Sequence, residues 1–380
     1  MTADSVKIAP VDTAADMDAF IRLPYRLHAD DKTWIPPLLM ERRDALSANT
    51  NPYVKRANVR FWLARRNGQV VGRISAQMDP LVAKTRSPEE GHFGLIAVED
   101  DPDIFAALTR TAEDWLRAQG AKIAYGPFNL SINEETGLLI KGSDTAPMMM
   151  MGHDYGYVSE RLEEQGYTKA RDVFAYLVDA RKPLSRMLAA LKDRALPDNT
   201  LVRPIRMKSY HDDVRLIVDI FNDAWSDNWG FVPFEADEVE HMAKQLKPLI
   251  NPKLVWFVEI DNKPAAFIVC LPNVNEAISD LNGKLLPFGW AKLLWRLKVR
   301  GLKSVRVPLM GVRKEYLTSL QGPMIVGSLM NRVINEVIRL GVDKVEMSWV
   351  LEDNTPMRRL AEKMGGEEYK TYRIFQKSLT

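Results

Sequence analysis

Ser348-Trp349-Val350-Leu351-Glu352-Asp353-Asn354, followed by Met357-Arg358-Arg359-Leu360 and then Met364-Gly365, is the stretch on which the fold turns. It reads as the end of a strand, a turn, a short helix and a glycine stop. Working backward, Lys344–Val350 is a strand. By period-two alternation Glu346 and Ser348 share one of its faces, and Val345, Met347 and Trp349 the other. A long helix precedes it at Ser328–Leu340, after a glycine-containing loop at Leu317–Gly327 and a strand at Ser304–Val312. Working forward, Thr355–Met364 is a second helix and Tyr369–Lys377 a closing strand. The order is β–loop–α–β–α–β.

Three pairs of phrases recur in the same order along the chain, which points to one fold written twice. Phe61–Gly68 with Val70–Ala76 reads as a hairpin around an Asn-Gly turn, and Val255–Asn262 with Ala265–Cys270 reads the same way. Leu116–Gly120 and Ile338–Gly341 each end a helix with glycine and lead into a strand. Leu162–Tyr167 and Ala361–Gly366 each precede an aromatic strand, Val173–Val178 and Tyr372–Gln376. Two α/β domains are therefore expected, 1–180 and 200–380, joined by a polar linker at 181–199. The copies differ. In the first, Glu99-Asp100-Asp101-Pro102-Asp103 runs straight into the helix Ile104–Gln119; these acids cap a helix well and repel a phosphate. The second has the longer, less acidic Lys314–Gly327 in that place. The first domain is expected to shape a site and the second to hold a cofactor.

Composition limits the classes. With 380 residues, 46% hydrophobic and 27% charged, the chain is an ordinary globular protein of two or three domains. A net charge of +2 gives no argument for nucleic acid. The single cysteine, Cys270, excludes an internal disulfide framework and sits in an apolar strand, where a core thiol is expected. Met1–Pro10 carries no apolar signal core, and no apolar run approaches the roughly 20 residues that span a bilayer. A cytoplasmic location is expected. No clustered-carboxylate motif suggests a metal.

The β–loop–α–β–α–β succession resembles the acyl-CoA-binding half of the GNAT N-acyltransferase superfamily. The implied fold class is α/β (α+β): two tandem GNAT-like domains, each a mixed, mostly antiparallel sheet flanked by helices, the first a helper without a pyrophosphate loop. A closer resemblance runs through Asn51-Pro52-Tyr53, Gly126-Pro127-Phe128-Asn129, Asn228–Pro233, Ser348–Asn354 and Tyr369-Lys370-Thr371-Tyr372-Arg373. Together these are similar to the bacterial ceramide synthase group. That implies N-acylation of a sphingoid base (3-oxosphinganine or sphinganine) by a long-chain acyl-CoA, yielding a (dihydro)ceramide in bacterial sphingolipid synthesis.

GNAT enzymes usually hold the pyrophosphate with Gln/Arg-x-x-Gly-x-Gly/Ala at a helix N-terminus. Here the stretch is Gln321-Gly322-Pro323-Met324-Ile325-Val326-Gly327, with Met324 and Val326 where small residues are usual. Two options stay open: a shifted loop using Gly322 and Gly327, or an acyl carrier protein as donor. Without a lysine it does not make a nucleotide-hydrolysing loop. The cofactor candidates are Gln321, Gly322, Pro323, Met324, Gly327 and Asn354, with Met310, Gly311 and Val312 offering backbone N–H to the thioester carbonyl. A base is needed to deprotonate the amine. Glu346 or Glu352 beside Trp349 in a dry cleft could serve, although Glu352 also suits a helix start. His153, next to Asp154 and Tyr155, is a third candidate. The usual GNAT acid, a tyrosine, falls at Ala361.

Aromatic-and-amide clusters suit ligand clefts as well as turn capping. On that basis Asn129, Ser131, Asn133, Glu134, Tyr155, Tyr157, Trp225, Asn228 and Trp229 are substrate candidates. Finally, Lys284–Lys303 is basic and amphipathic without one acid. On a helix from Phe288, Trp290, Leu293, Leu294 and Leu297 form one stripe, as a segment lying on anionic lipid requires; packing on the domain, with the basic end serving solubility or CoA phosphates, is the other reading. Peripheral attachment to the inner face of the cytoplasmic membrane would follow. Two other functions remain: a GNAT acetyltransferase acting on a small amine, and a catalytically silent acyl-CoA- or lipid-binding protein.

Overall fold

A computed structural model describes residues 6–182, 196–317, 319 and 321–380. The chain divides into two compact units. The first comprises the residues up to Val173 together with Ile278–Leu286 and Lys370–Thr380, and the second Phe174–Ala277 with Pro287–Tyr369. The expected boundary at 181–199 differs from this division, and 183–195 of that linker lies outside the described residues.

The first unit is built on β1 (Lys7–Pro10), β2 (Asn58–Arg66), β3 (Gln69–Met78), β4 (Glu90–Val98) and β5 (Ile123–Gly126). These strands pair in that order, antiparallel except for β4 with β5. Around them lie α1 (Ala14–Leu27), α2 (Leu39–Ala45), α3 (Pro52–Arg56), α4 (Pro80–Thr85), α5 (Pro102–Ala118) and α6 (Tyr157–Glu164). The apolar face of α5, Ile104, Phe105, Leu108, Ala112 and Leu116, packs into a core with Trp62, Ile74 and Phe93. Asp101 caps that helix, accepting from the N–H groups of Asp103 and Ile104, as its acidic entry leads one to expect. Short strands follow β5: β6 (Phe128–Asn129), β7 (Glu135–Thr136) and β8 (Leu138–Lys141).

The second unit repeats the plan. Strands β10 (Thr200–Pro204), β11 (Val255–Ile260), β12 (Lys263–Pro272), β13 (Ser304–Val312) and β14 (Lys344–Leu351) pair in order, and only β13 and β14 are parallel. The helices are α7 (Tyr210–Trp225), α8 (Ala236–Leu246), α9 (Asn275–Ile278), α10 (Gly289–Trp295), α11 (Lys314–Leu317), α12 (Gly322–Arg339) and α13 (Thr355–Lys363). Of the stretch read as a loop, Leu317–Gly327, the part from Gly322 is already helix. Pro323 explains the early start, because its fixed φ suits the first turn and its missing N–H costs nothing there.

The recurring phrases carry the same bonds in both units. The hairpins turn on residues with positive φ, Asn67 and Gly68 in one, Asp261 and Asn262 in the other. At the helix ends Ala121 N–H reaches Leu116 O at 3.0 Å and Val342 N–H reaches Val337 O at 3.1 Å, over Gly120 and Gly341, which both have positive φ. Tyr167 N–H to Leu162 O and Gly366 N–H to Ala361 O repeat the motif over Gly166 and Gly365.

The closing strands are exchanged. β9 (Thr168–Asp179) belongs from Phe174 onward to the second unit, where it flanks β14. β15 (Glu367–Ser378) belongs from Lys370 onward to the first, where Phe375–Ser378 pairs antiparallel with β5 and Thr371–Arg373 with β8. Replacing Gly120 or Gly341 with alanine forces a Cβ into the left-handed region. Each change is expected to lower stability by about 1–2 kcal/mol in urea denaturation, with no effect at Gly156, whose φ is −57°.

Candidate functional site

The parallel ladder of the second unit runs from Ser304/Lys344 to Val307/Met347 and stops. The next residue of β13 is Pro308, which has no N–H to continue it. Both strands nevertheless go on, to Val312 and Leu351, and β13 stays paired with β12 on its other edge as far as Ala266/Val312. A cavity of about 990 Å³ lies against the continuing ends of both strands. One face of α12 lines it with Pro323, Val326, Gly327 and Met330, at helical spacing. Met357 and Leu360 of α13 and Trp225 and Trp229 at the end of α7 add further walls. That last wall is fixed by Lys314, whose N–H bonds Asp223 at 2.9 Å and whose Nζ bonds Ser226 Oγ at 2.6 Å. The lining is chiefly apolar, with Asp227, Asp353, Arg359 and Lys363 as charged members. Such a cavity suits a long apolar ligand with a polar end.

A buried polar network stands at the point where the ladder ends. Glu346 is wholly buried and lies in register with Arg306, itself 1% exposed. Glu346 Oε1 accepts from Ser348 Oγ at 2.6 Å and lies 3.4 Å from Arg306 Nε; Oε2 accepts from Tyr369 OH. Arg306 Nε also donates to Ser348 Oγ at 2.8 Å, and its guanidinium carbon lies 5.1 Å from the Trp349 ring centre. Ser348 and Trp349 line the cavity, whereas Glu346 does not. The indole N–H of Trp349 is buried and has no hydrogen-bond partner among the described residues. A buried orphan donor in a cavity wall is costly unless a ligand acceptor meets it.

Of the cofactor candidates, Met310, Gly311, Val312, Gly322, Pro323, Gly327 and Asn354 line the cavity, and Gln321 and Met324 do not. Gly322 is required where it stands, because a Cβ there would lie 2.8 Å from Tyr316 O. Its N–H is taken by Ser319 O and that of Ile325 by Gln321 O, so the start of α12 presents few amides. Asn354 caps α13 through Met357 N–H. Trp225, Asn228 and Trp229 line the cavity. Glu352 is half-buried in the turn after β14, its carbonyl bonded by Arg358, outside the lining.

The other candidates belong to the first unit and serve its own loops. Asn129 Oδ1 accepts from Leu95 N–H at 2.6 Å, Ser131 Oγ from Asn133 N–H, and Glu134 from Leu130 N–H. Tyr157 OH donates to Val98 O at 2.7 Å, and Tyr155 stacks on His28 with ring centres 4.5 Å apart. His153 Nε2 lies 2.9 Å from Asp31 Oδ2 and its ring edge faces His28. Burial lowers the pKa of His153 and pushes His28 down to about 4, with the neighbouring His153 adding to the second shift.

The Asn129 contact explains why the two units differ. The β4/β5 ladder ends at His92/Tyr125, and just beyond it the strand edge is closed by the chain's own atoms. A Cβ at Gly94 would sit 1.9 Å from Phe128 O. In the second unit the corresponding stretch opens on the cavity. Sequence reasoning missed Arg306, Tyr369 and the charged lining residues. The signal for the pair was present: Arg306 stands between Val305 and Val307, and Glu346 between Val345 and Met347.

The chain is 52% identical over 379 residues to a bacterial ceramide synthase of Caulobacter vibrioides (strain NA1000 / CB15N), covering 100% of this chain and 99% of that one. It is 46% identical over 365 residues to Protein YghO of Escherichia coli (strain K12), covering 96% and 93%. Among solved structures it is similar to a tandem GNAT protein from the clavulanic acid biosynthesis pathway, with a TM-score of 0.57, 12% identity and 99% of each chain covered. That likeness bears out the expected fold of two tandem GNAT domains. No family model matches the chain.

Beside His153, Asp154 has an unusual state. Burial pushes its carboxyl up to about 7, against the Leu139 N–H it accepts at 3.0 Å and with the charge of Glu135 adding to the rise. Its pKa is thus higher folded than unfolded, so this contribution to stability is fully present below about 4 and is lost as pH rises through about 7. Asp154→Asn keeps an acceptor and removes the charge. The variant is expected to gain stability over the parent at pH 8, on the order of a few kcal/mol, and little at pH 4, as read by urea denaturation at both values.

Proposed function

The chain belongs to the bacterial ceramide synthase family, and on that premise we propose that this N-acyltransferase moves a long-chain acyl group from acyl-CoA to the amine of a sphingoid base. The cavity between the separating ends of β13 and β14 carries the reading. It is large and apolar enough for an acyl chain, Ser348 in its wall is hydrogen-bonded to the buried carboxylate of Glu346, and it holds an unpartnered donor in Trp349. The acyl donor lies along α12 and β13, and Arg359 and Lys363, one turn apart on α13, meet its phosphates. Backbone N–H of Met310 and Val312, which alternate with the ladder-directed N–H of Gly311, and the Trp349 indole N–H polarise the thioester carbonyl.

Ser348 is the group that meets the amine. The substrate ammonium passes a proton to Ser348 Oγ as the hydroxyl's own proton moves to Glu346 Oε1. The nitrogen lone pair then forms the C–N bond, and the C–S bond breaks with its electrons leaving on sulfur. The thiolate takes the second proton that the nitrogen loses, which needs no tyrosine at Ala361. Arg306 and Tyr369 hold Glu346 in place throughout. Acceptor and product are lipids, so the protein works peripherally, at the cytoplasmic face of a membrane. Among the described residues no helix is long and apolar enough to cross a membrane.

The test is amide formation by purified protein from palmitoyl-CoA and 3-oxosphinganine in mixed micelles, read by mass spectrometry beside acetyl-CoA controls. Product with the long chain alone supports the proposal. Product with acetyl-CoA alone, on a small amine, would replace it with the acetyltransferase reading. Acyl-CoA binding without turnover would leave a carrier-protein donor or a silent binding protein. Ser348→Ala and Glu346→Gln are each expected to lower kcat/KM about 10²-fold near neutral pH. The deficit should narrow as pH rises and the amine deprotonates in solution, with KM for acyl-CoA unchanged. A deficit equal at every pH would assign these residues a structural role only.

A further inference from the structure

A helix on the surface of a globular protein turns its apolar stripe inward and leaves polar residues outside. The segment Phe288–Arg300 does not. It was expected to gather Trp290, Leu293, Leu294 and Leu297 on a single stripe. In the structure Leu293 and Leu297, four residues apart, are half-buried against the protein, while Trp290 and Leu294, also four apart, face solvent. Past Trp295 the helix continues as a π-helical turn, Arg296–Arg300, ending at Gly301 with φ +76°. Trp295, the last residue before that turn, and Val299 within it are exposed as well. Phe288, Trp290, Leu294, Trp295 and Val299 are 76, 51, 50, 53 and 72% exposed. The segment is apolar on the side that packs and apolar again on the side that does not.

We infer that this outer face is a docking surface for an anionic lipid bilayer. The charges select that occupant. Lys298 and Arg300 stand among the exposed apolar residues and form no ion pair with any described residue; Lys298 Nζ only approaches Pro248 O at 3.4 Å. No aspartate or glutamate occurs from Lys284 to Lys303. A second copy of this face would bring like charges together. An apolar groove on another protein would take the tryptophans and strand the cations without water. A bilayer meets both demands, because apolar side chains enter the acyl–headgroup boundary while lysine and arginine stay at the level of the phosphates. Tryptophan is the residue most at home at that depth. The segment has two turns of α-helix and one of π-helix, so it lies on the surface and does not span it. Lipid binding needs no turnover, so this inference stands or falls apart from the acyl-transfer reading.

The test uses the full chain and flotation with two kinds of vesicle, one of phosphatidylglycerol and phosphatidylethanolamine, the other of phosphatidylcholine alone. The protein is expected to float with the anionic vesicles, at least about tenfold more weakly with the neutral ones, and to be released by salt. Trp290→Ser with Trp295→Ser should abolish flotation. Lys298→Glu with Arg300→Glu should abolish the preference for anionic lipid. Circular dichroism and thermal unfolding should match the parent in both variants. Equal flotation of parent and tryptophan variant would overturn the inference. So would a parent dimer, seen by sedimentation without lipid, that the tryptophan variant dissolves, because a second copy would then cover the face.

Discussion

The site depends on one seam, the short parallel ladder between β13 and β14. Within it Arg306 and Glu346 face each other, both buried, Arg306 between Val305 and Val307 and Glu346 between Val345 and Met347. A buried pair of this kind adds little net stability, but losing one partner costs about 3–5 kcal/mol. Its stronger effect is on register. A slip of one residue would turn Arg306 and Glu346 to opposite faces and leave both charges alone. The pair therefore fixes which residues stand where the ladder ends. Pro308 arrives on one strand as Ser348 and Trp349 arrive on the other, and the strands separate there. The cavity, the serine in its wall and the orphan indole N–H all follow from that alignment.

The first unit shows the same ladder put to another use. Its strands also stop pairing after a few residues, but Phe128 crosses Gly94 and the side chain of Asn129 takes the Leu95 N–H. The chain fills internally the strand edge that the second unit leaves open on its cavity. The acidic entry to α5 gave one hint of this asymmetry. The closure by Asn129 gives a stronger one, because it occupies the strand edge itself.

Much of this was legible in the sequence where the determinants are local. Asn67-Gly68, the helix-ending Gly120 and Gly341, and the alternation along Lys344–Val350 each act over a few residues. What needed distant pairing was not legible. Glu346 was read as a carboxylate beside Trp349, since nothing local says that Arg306 and Tyr369 will surround it. His153 was read with its neighbours Asp154 and Tyr155, whereas its contacts are Asp31 and His28, far back in the chain. The start of α12 was hidden by its two glycines, which read as loop although Pro323 had already begun a helix. The stripe of Lys284–Lys303 was drawn for a regular helix, and the π-turn and the packing of Leu293 and Leu297 changed which residues it shows to water.

The exchange of closing strands bears on how the protein is made. The first unit cannot complete its sheet from its own stretch of chain, because the strand beside β5 is Phe375–Ser378. On the ribosome that strand emerges only after the whole second unit has been synthesised. Until then the edge of β5 and the partner edge of β8 stay open, and open edges invite the wrong neighbours. The sheet of the first unit is thus complete only once β15, the last strand of the chain in sequence order, has been made. Neither half, cut from the other near residue 180, carries the strands that its own unit requires.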